Sequence, residues 1–127
     1  MTRKLLSDVF RAYKLHPEFI GLDIEDLNQR GALGCMLLHI ASRKGNLEHM
    51  AILLDNGAAI DARGDLYNTP LHEAALCGQA QAVEFLLSRG ADATLRNELE
   101  QTPLDVAIWG MKAAVCEELS KRCPGQQ

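Results

Sequence analysis

Apolar residues in this chain fall into short bursts at helical spacing, separated by glycines and polar clusters. In the clearest burst, Leu71 and Ala74 stand three residues apart behind Thr69-Pro70, and the run stops at Gly78. A threonine side chain accepts from the first free N–H groups of a helix, and proline at the first helical position lacks an N–H that would have found no partner there. These residues predict a helix over 71–77, closed by Gly78 in the left-handed conformation of a C-terminal cap. A second stripe, Ala82, Val83, Leu86 and Leu87, ends at Gly90 and predicts a helix returning antiparallel to the first. Thr102-Pro103 begins the same device again.

The two-helix unit recurs with a period of 33 residues. Leu38-His39 returns as Leu71-His72, Ala41 as Ala74 and Ala107, Gly45 as Gly78, Leu53-Leu54 as Leu86-Leu87, and Gly57-Ala58 as Gly90-Ala91. Arg63 and Leu66 return as Arg96 and Leu99. Residues 34–66 laid on 67–99 give ten identities, where ordinary amino-acid usage would give roughly two. Thr102-Pro103-Leu104-Asp105 opens a third copy, which runs to Leu119 ahead of the polar Pro124-Gly125-Gln126-Gln127. Upstream, only Arg30-Gly31 and Leu33 match the pattern. The expected organisation is therefore one domain over 1–127: a degenerate N-terminal cap (1–33), repeats at 34–66 and 67–99, and a C-terminal cap repeat (100–127). Between copies, 59–68 and 92–101 are too short for another helix and place the turn-formers Gly64 and Asn97 at one repeat position, which predicts β-hairpin fingers.

The Thr-Pro-Leu-His start, the glycine after the first helix and the Leu-Leu-x-x-Gly-Ala ending resemble the ankyrin-repeat family. The resemblance covers nearly the whole chain and is most specific over 34–107. It implies an all-α repeat solenoid of about three repeats plus a degenerate cap, with helix-turn-helix pairs and β-hairpin fingers, in a small stand-alone protein. It also implies a binder of other proteins whose concave face is built from finger tips and first helices. Three positions depart from the pattern. Met36-Leu37 replaces Thr-Pro in the first full repeat, and Met111 stands where the third should have glycine. Where the family carries glycine two residues before the threonine, the chain has Gly34, then Tyr67, then Glu100.

Charge and chemistry narrow the function. Thirteen basic against seventeen acidic residues give a net charge of -4, whereas nucleic-acid binders usually carry a basic surplus. No apolar run approaches a membrane span, and Asp8 interrupts the N-terminus before a signal segment could form, so a cytoplasmic protein is expected. Cys35, Cys77, Cys116 and Cys123 form no C-x-x-C pair and read as free thiols, although sequence carries no distances and a crosslink stays open. Cys116 reads as packed, Cys35 and Cys77 as more exposed. His39 and His72 hold one position in successive repeats, too far apart at helix spacing to share a metal or a proton, and each is expected to hydrogen-bond backbone in its own turn. His72-Glu73 lacks the second histidine of a zinc helix, and no nucleotide, nucleophile-elbow or calcium motif occurs. No enzyme, no cofactor and no metal are expected.

Function then falls to the outward positions of the repeat. The partner-binding set carried over from the resemblance is Leu33 and Cys35 on the first finger, Asp65, Leu66 and Asn68 on the second, and Glu98, Leu99 and Gln101 on the third. The first helices add Arg43, Lys44, Glu73, Leu76, Cys77 and Trp109. Trp109, the single tryptophan, occupies the position of Leu76 one repeat on and forms an apolar anchor with it, unless it packs under the C-terminal end of the stack. Asp65, Glu73, Glu98 and Glu100 are expected to make an acidic rim, with Arg43 and Lys44 at a basic opposite end. The partner is accordingly a protein with a basic patch, met by a monomer, and the role is masking or inhibition of the inhibitor or immunity-protein kind. The alternative is an adaptor that uses the second-helix side, near Glu48, Glu84 and Glu117, for another protein.

Overall fold

The computed structural model describes residues 6–21, 24 and 26–122. Cys123 and the polar residues 124–127 lie outside them. The described chain forms α1 (Leu6–Tyr13), α2 (Leu37–Lys44), α3 (Leu47–Asp55), α4 (Pro70–Leu76), α5 (Ala80–Ser88), α6 (Pro103–Trp109) and α7 (Ala113–Arg122), with a single turn of 3-10 helix at Asp65–Tyr67. Helices α2, α4 and α6 lie side by side in one row, with α3, α5 and α7 in a second row against them. Between the rows sits a continuous core of Leu37, Leu38, Ile40, Met50, Leu53, Leu71, Leu86, Val115 and Leu119, with Ala41, Ala74 and Ala107 fully buried among them.

Each first helix starts and stops as its sequence dictates. Thr69 Oγ1 accepts from His72 N–H at 3.3 Å and Thr102 Oγ1 from Asp105 N–H at 3.2 Å, with proline next in both helices. At the other end the left-handed residue is Gly45 (φ 69), Gly78 (φ 71) and Met111 (φ 58), each donating its N–H to the carbonyl three residues back. Gly110 is not the left-handed residue, since its φ is -84. A Cβ at Gly45 would also meet the Gln79 amide oxygen at 2.5 Å and push that side chain aside. Gln79 uses that approach to donate from Nε2 to the Arg43 carbonyl at 3.1 Å, which fastens one repeat to the next.

The fingers contain no strand among the described residues, so the hairpin expectation is corrected. Each tip is instead a tight loop whose ends are joined by the same bond, Gly31 N–H to Cys35 O, Gly64 N–H to Asn68 O, and Asn97 N–H to Gln101 O, at 2.7, 2.8 and 2.9 Å, with a shorter-range turn bond inside it: Gly34 N–H to Gly31 O, Tyr67 N–H to Gly64 O and Glu100 N–H to Asn97 O. Gly34, Tyr67 and Glu100 share the left-handed conformation (φ 91, 64 and 63), so the two non-glycine departures adopt a backbone suited to glycine. Arginines stitch the loops together. Arg30 donates to Gly34 O and to Arg63 O, Arg63 to Tyr67 O and to Arg96 O, and Arg96 to Glu100 O.

The histidines do similar work across repeats. His39 Nδ1 accepts from Met36 N–H at 3.0 Å, which fixes the proton on Nε2, and Nε2–H faces the carbonyls of Ala62 and Asn68 at 2.9 and 3.0 Å. His72 repeats this with Thr69 N–H and Gln101 O at 3.2 and 2.8 Å. Only half of each ring therefore serves its own turn, and the other half holds the next finger. Burial pushes the His39 pKa down to about 4, and that of His72 in the same direction.

At the N-terminal end, α1 packs on α3, where the buried Tyr13 hydroxyl meets His49 Nδ1 at 2.9 Å. Buried Glu18 grips the first finger: its Oε2 accepts from Leu33 and Cys35 N–H at 2.7 and 3.2 Å, and its carbonyl from Ala32 N–H at 2.8 Å.

Candidate binding groove

Because a 33-residue period places equivalent side chains in line, the second and third fingers and helices α4 and α6 contribute neighbouring residues to one depression. It has a volume of about 320 Å³ and is lined by Leu66, Asn68, Leu76, Asn97, Leu99, Gln101, Val106 and Trp109. Trp109 is 77% exposed, and Leu66, Leu76 and Leu99 are exposed beside it. The indole is therefore not packed under the end of the stack. Four large apolar side chains exposed along one depression make it the candidate contact site.

The floor is polar and ordered. Asn97 Oδ1 accepts from the N–H groups of Leu99 and Gln101 at 2.9 and 3.0 Å, so its Nδ2 must be the donor. That nitrogen donates to Asn68 Oδ1 at 3.0 Å and to Gln101 Oε1 at 3.3 Å. On the same two fingers, the exposed carboxylates of Glu98 and Glu100 and the half-buried Asp65 form no ion pair among the described residues.

Of the residues expected to meet a partner, the structure brings together Leu66, Asn68, Leu76, Leu99, Gln101 and Trp109, with Asp65 and Glu98 close by on the same fingers. Three expectations need correction. Cys35 is fully buried, and burial pushes its thiol pKa up. Glu73 is 3% exposed and bound to Arg43 Nη2 at 3.1 Å, so it leaves the acidic rim and Arg43 is neutralised within the stack. The basic end reduces to Lys44, whose ammonium lies 5.2 Å from the Tyr13 ring centre. Asn68 is nearly covered and belongs to the floor. Leu33 and Cys77 are exposed away from the groove lining. The residues missed were Asn97, read only as a turn-former, and Val106. Val106 occupies the position of Glu73, and that exchange of charge for an apolar side chain was the signal.

The stacked helix pairs and joined fingers agree with the sequence comparison: a family model described as ankyrin repeats in three copies matches residues 10–97 and, in a second register, 38–125. The chain belongs to the ankyrin-repeat family. No curated protein matches it. Ankyrin repeats are protein–protein interaction modules, in general without catalysis, and they bind other proteins. The groove lies on the finger and first-helix side, which in an ankyrin stack is the concave one. No helix among the described residues is long and apolar enough to cross a membrane.

Proposed function

We propose that this ankyrin-repeat protein acts without catalysis, covering a functional surface of one partner protein with the groove between its second and third fingers and thereby masking or inhibiting it. The observation that carries the reading is the exposed Trp109 standing in line with Leu66, Leu76 and Leu99. A large aromatic at the centre of an interface contributes about 2 kcal/mol or more to binding, and the free carboxylates of Glu98 and Glu100 favour a partner with a basic patch. The free thiols Cys35, Cys77 and Cys116 suit a reducing cytoplasm. Trp109→Ala and Leu76→Arg, both at exposed sites, are expected to leave the fold intact and to weaken capture of the native partner at least tenfold. Unchanged capture by folded variants would refute the concave-face reading.

An adaptor is the second reading. A separate depression of about 280 Å³ at the N-terminal cap, lined by Ser7, Phe10, Arg11, Lys14 and Ile24, offers a surface for another protein, as do the exposed Glu48, Glu84 and Glu117. An inhibitor forms a one-to-one complex with its partner, and an adaptor forms a ternary one.

A further inference from the structure

The floor of the groove holds hydrogen-bonding capacity that the stack leaves unused. Two backbone N–H groups fix Asn97 Oδ1 as an acceptor, so Asn97 Nδ2 is a donor and the atoms facing it on Asn68 and Gln101 must be oxygens. The opposite ends of those two side chains are therefore NH2 groups, and neither has a partner among the described residues. Asn68 is 93% buried by its 7% exposure, and what remains open borders the groove. Neither nitrogen is fully enclosed, so solvent reaches them in the free chain and a ligand that displaces this water must itself accept from them. The acceptor must also tolerate Glu98, Glu100 and Asp65 at the rim, which disfavour a carboxylate or phosphate and favour a neutral oxygen flanked by positive charge.

We infer that the groove takes an extended peptide segment of the partner: Asn68 Nδ2 and Gln101 Nε2 donate to main-chain carbonyls, one bulky apolar side chain lies against Trp109, and flanking Lys or Arg residues meet the acidic rim. This inference rests on the groove being the binding site and adds what the groove recognises. Main-chain acceptors give affinity with little demand on sequence, and the apolar slot and rim select the segment.

The test is titration of the isotope-labelled chain, followed by NMR, with three capped peptides: acetyl-Gly-Gly-Lys-Phe-Lys-Gly-Gly-amide, the same peptide with Glu in place of Lys, and the Lys peptide with Ala in place of Phe. The Lys-Phe-Lys peptide is expected to shift the side-chain amide signals of Asn68 and Gln101 together with the Trp109 indole N–H, and to bind about tenfold more tightly than either control. Asn68→Asp and Gln101→Glu keep an oxygen for Asn97 and remove the idle donor. Each is expected to weaken the Lys-Phe-Lys peptide about tenfold. Their added negative charge acts in the opposite direction on a basic peptide, so a loss reports the lost donor, and the half-exposed Gln101 supplies the readout should Asn68→Asp fail to fold. Shifts at Trp109 with silent Asn68 and Gln101 amides, or donor variants that bind undiminished, would overturn carbonyl recognition and leave the groove reading standing. Equal binding of the Glu peptide would overturn the charge selection. Silence at Trp109 with every peptide would overturn this inference, and undiminished partner capture by Trp109→Ala would separately remove the groove.

Discussion

Left-handed backbone is the residue-level weakness of this protein. Met111 occupies it at φ 58 with its side chain 88% exposed, so it bears the steric cost of a Cβ and gains little packing in return. Left-handed geometry disfavours an L side chain by roughly 1–2 kcal/mol, and glycine returns part of that gain through its more flexible unfolded chain. Met111→Gly is expected to stabilise the fold by about 1 kcal/mol, seen as a rise in the urea midpoint at unchanged slope. Gly45 and Gly78 already make this choice at the same turn. Trp109 and Leu76 show the converse, exposed apolar side chains whose cost to solubility is offset only when a partner covers them.

At the scale of elements, the repeated helices were readable because each of their devices is local. Thr-Pro starts, glycine stops and leucine pairs all act within a few residues, and the 33-residue frame with the ankyrin resemblance assigned Leu66, Leu76, Leu99 and Trp109 to one side. The fingers were misread because what holds them is distant. Arg63 is satisfied by Arg96 O, 33 residues away, and His39 by Asn68 O, 29 away, so side chains, with a single main-chain bond from Glu98 N–H to Leu66 O, stand where the loop lengths suggested a strand ladder. Glu73 was assigned to the surface for the same reason, since the arginine that neutralises it lies 30 residues earlier. The arginine seam predicts a gradient of cost. Arg63→Ala removes bonds to two fingers and stacking over Tyr67, whose ring centre is 4.5 Å away, and is expected to destabilise by about 1–2 kcal/mol. Arg96→Ala removes one finger bond and a 3.9 Å exposed ion pair with Asp105, and is expected to cost less than half as much in the same denaturation assay.

For the molecule as a whole, pH acts through buried imidazoles. His39 is neutral in the folded state down to about pH 4, against an ordinary value of 6.5. Below 6.5 the unfolded chain binds a proton that the folded chain refuses, so His39's contribution is present above that pH and lost progressively as pH falls toward 4. The full loss is about 3 kcal/mol at most, and His72 acts in the same direction. The expected result is a urea midpoint that falls between about pH 7 and pH 5, with the His39 ring signals still those of a neutral imidazole over that range; an imidazolium signal from the folded protein at about pH 6 would contradict it. The arginine seam has a longer reach. The junctions on either side of the 34–66 module each join a guanidinium to the carbonyl of its own successor, Arg30 to Arg63 and Arg63 to Arg96, so a duplicate of that segment inserted beside it would carry both halves of its junctions with it. The gene can therefore lengthen the array by copying, without having to invent a contact.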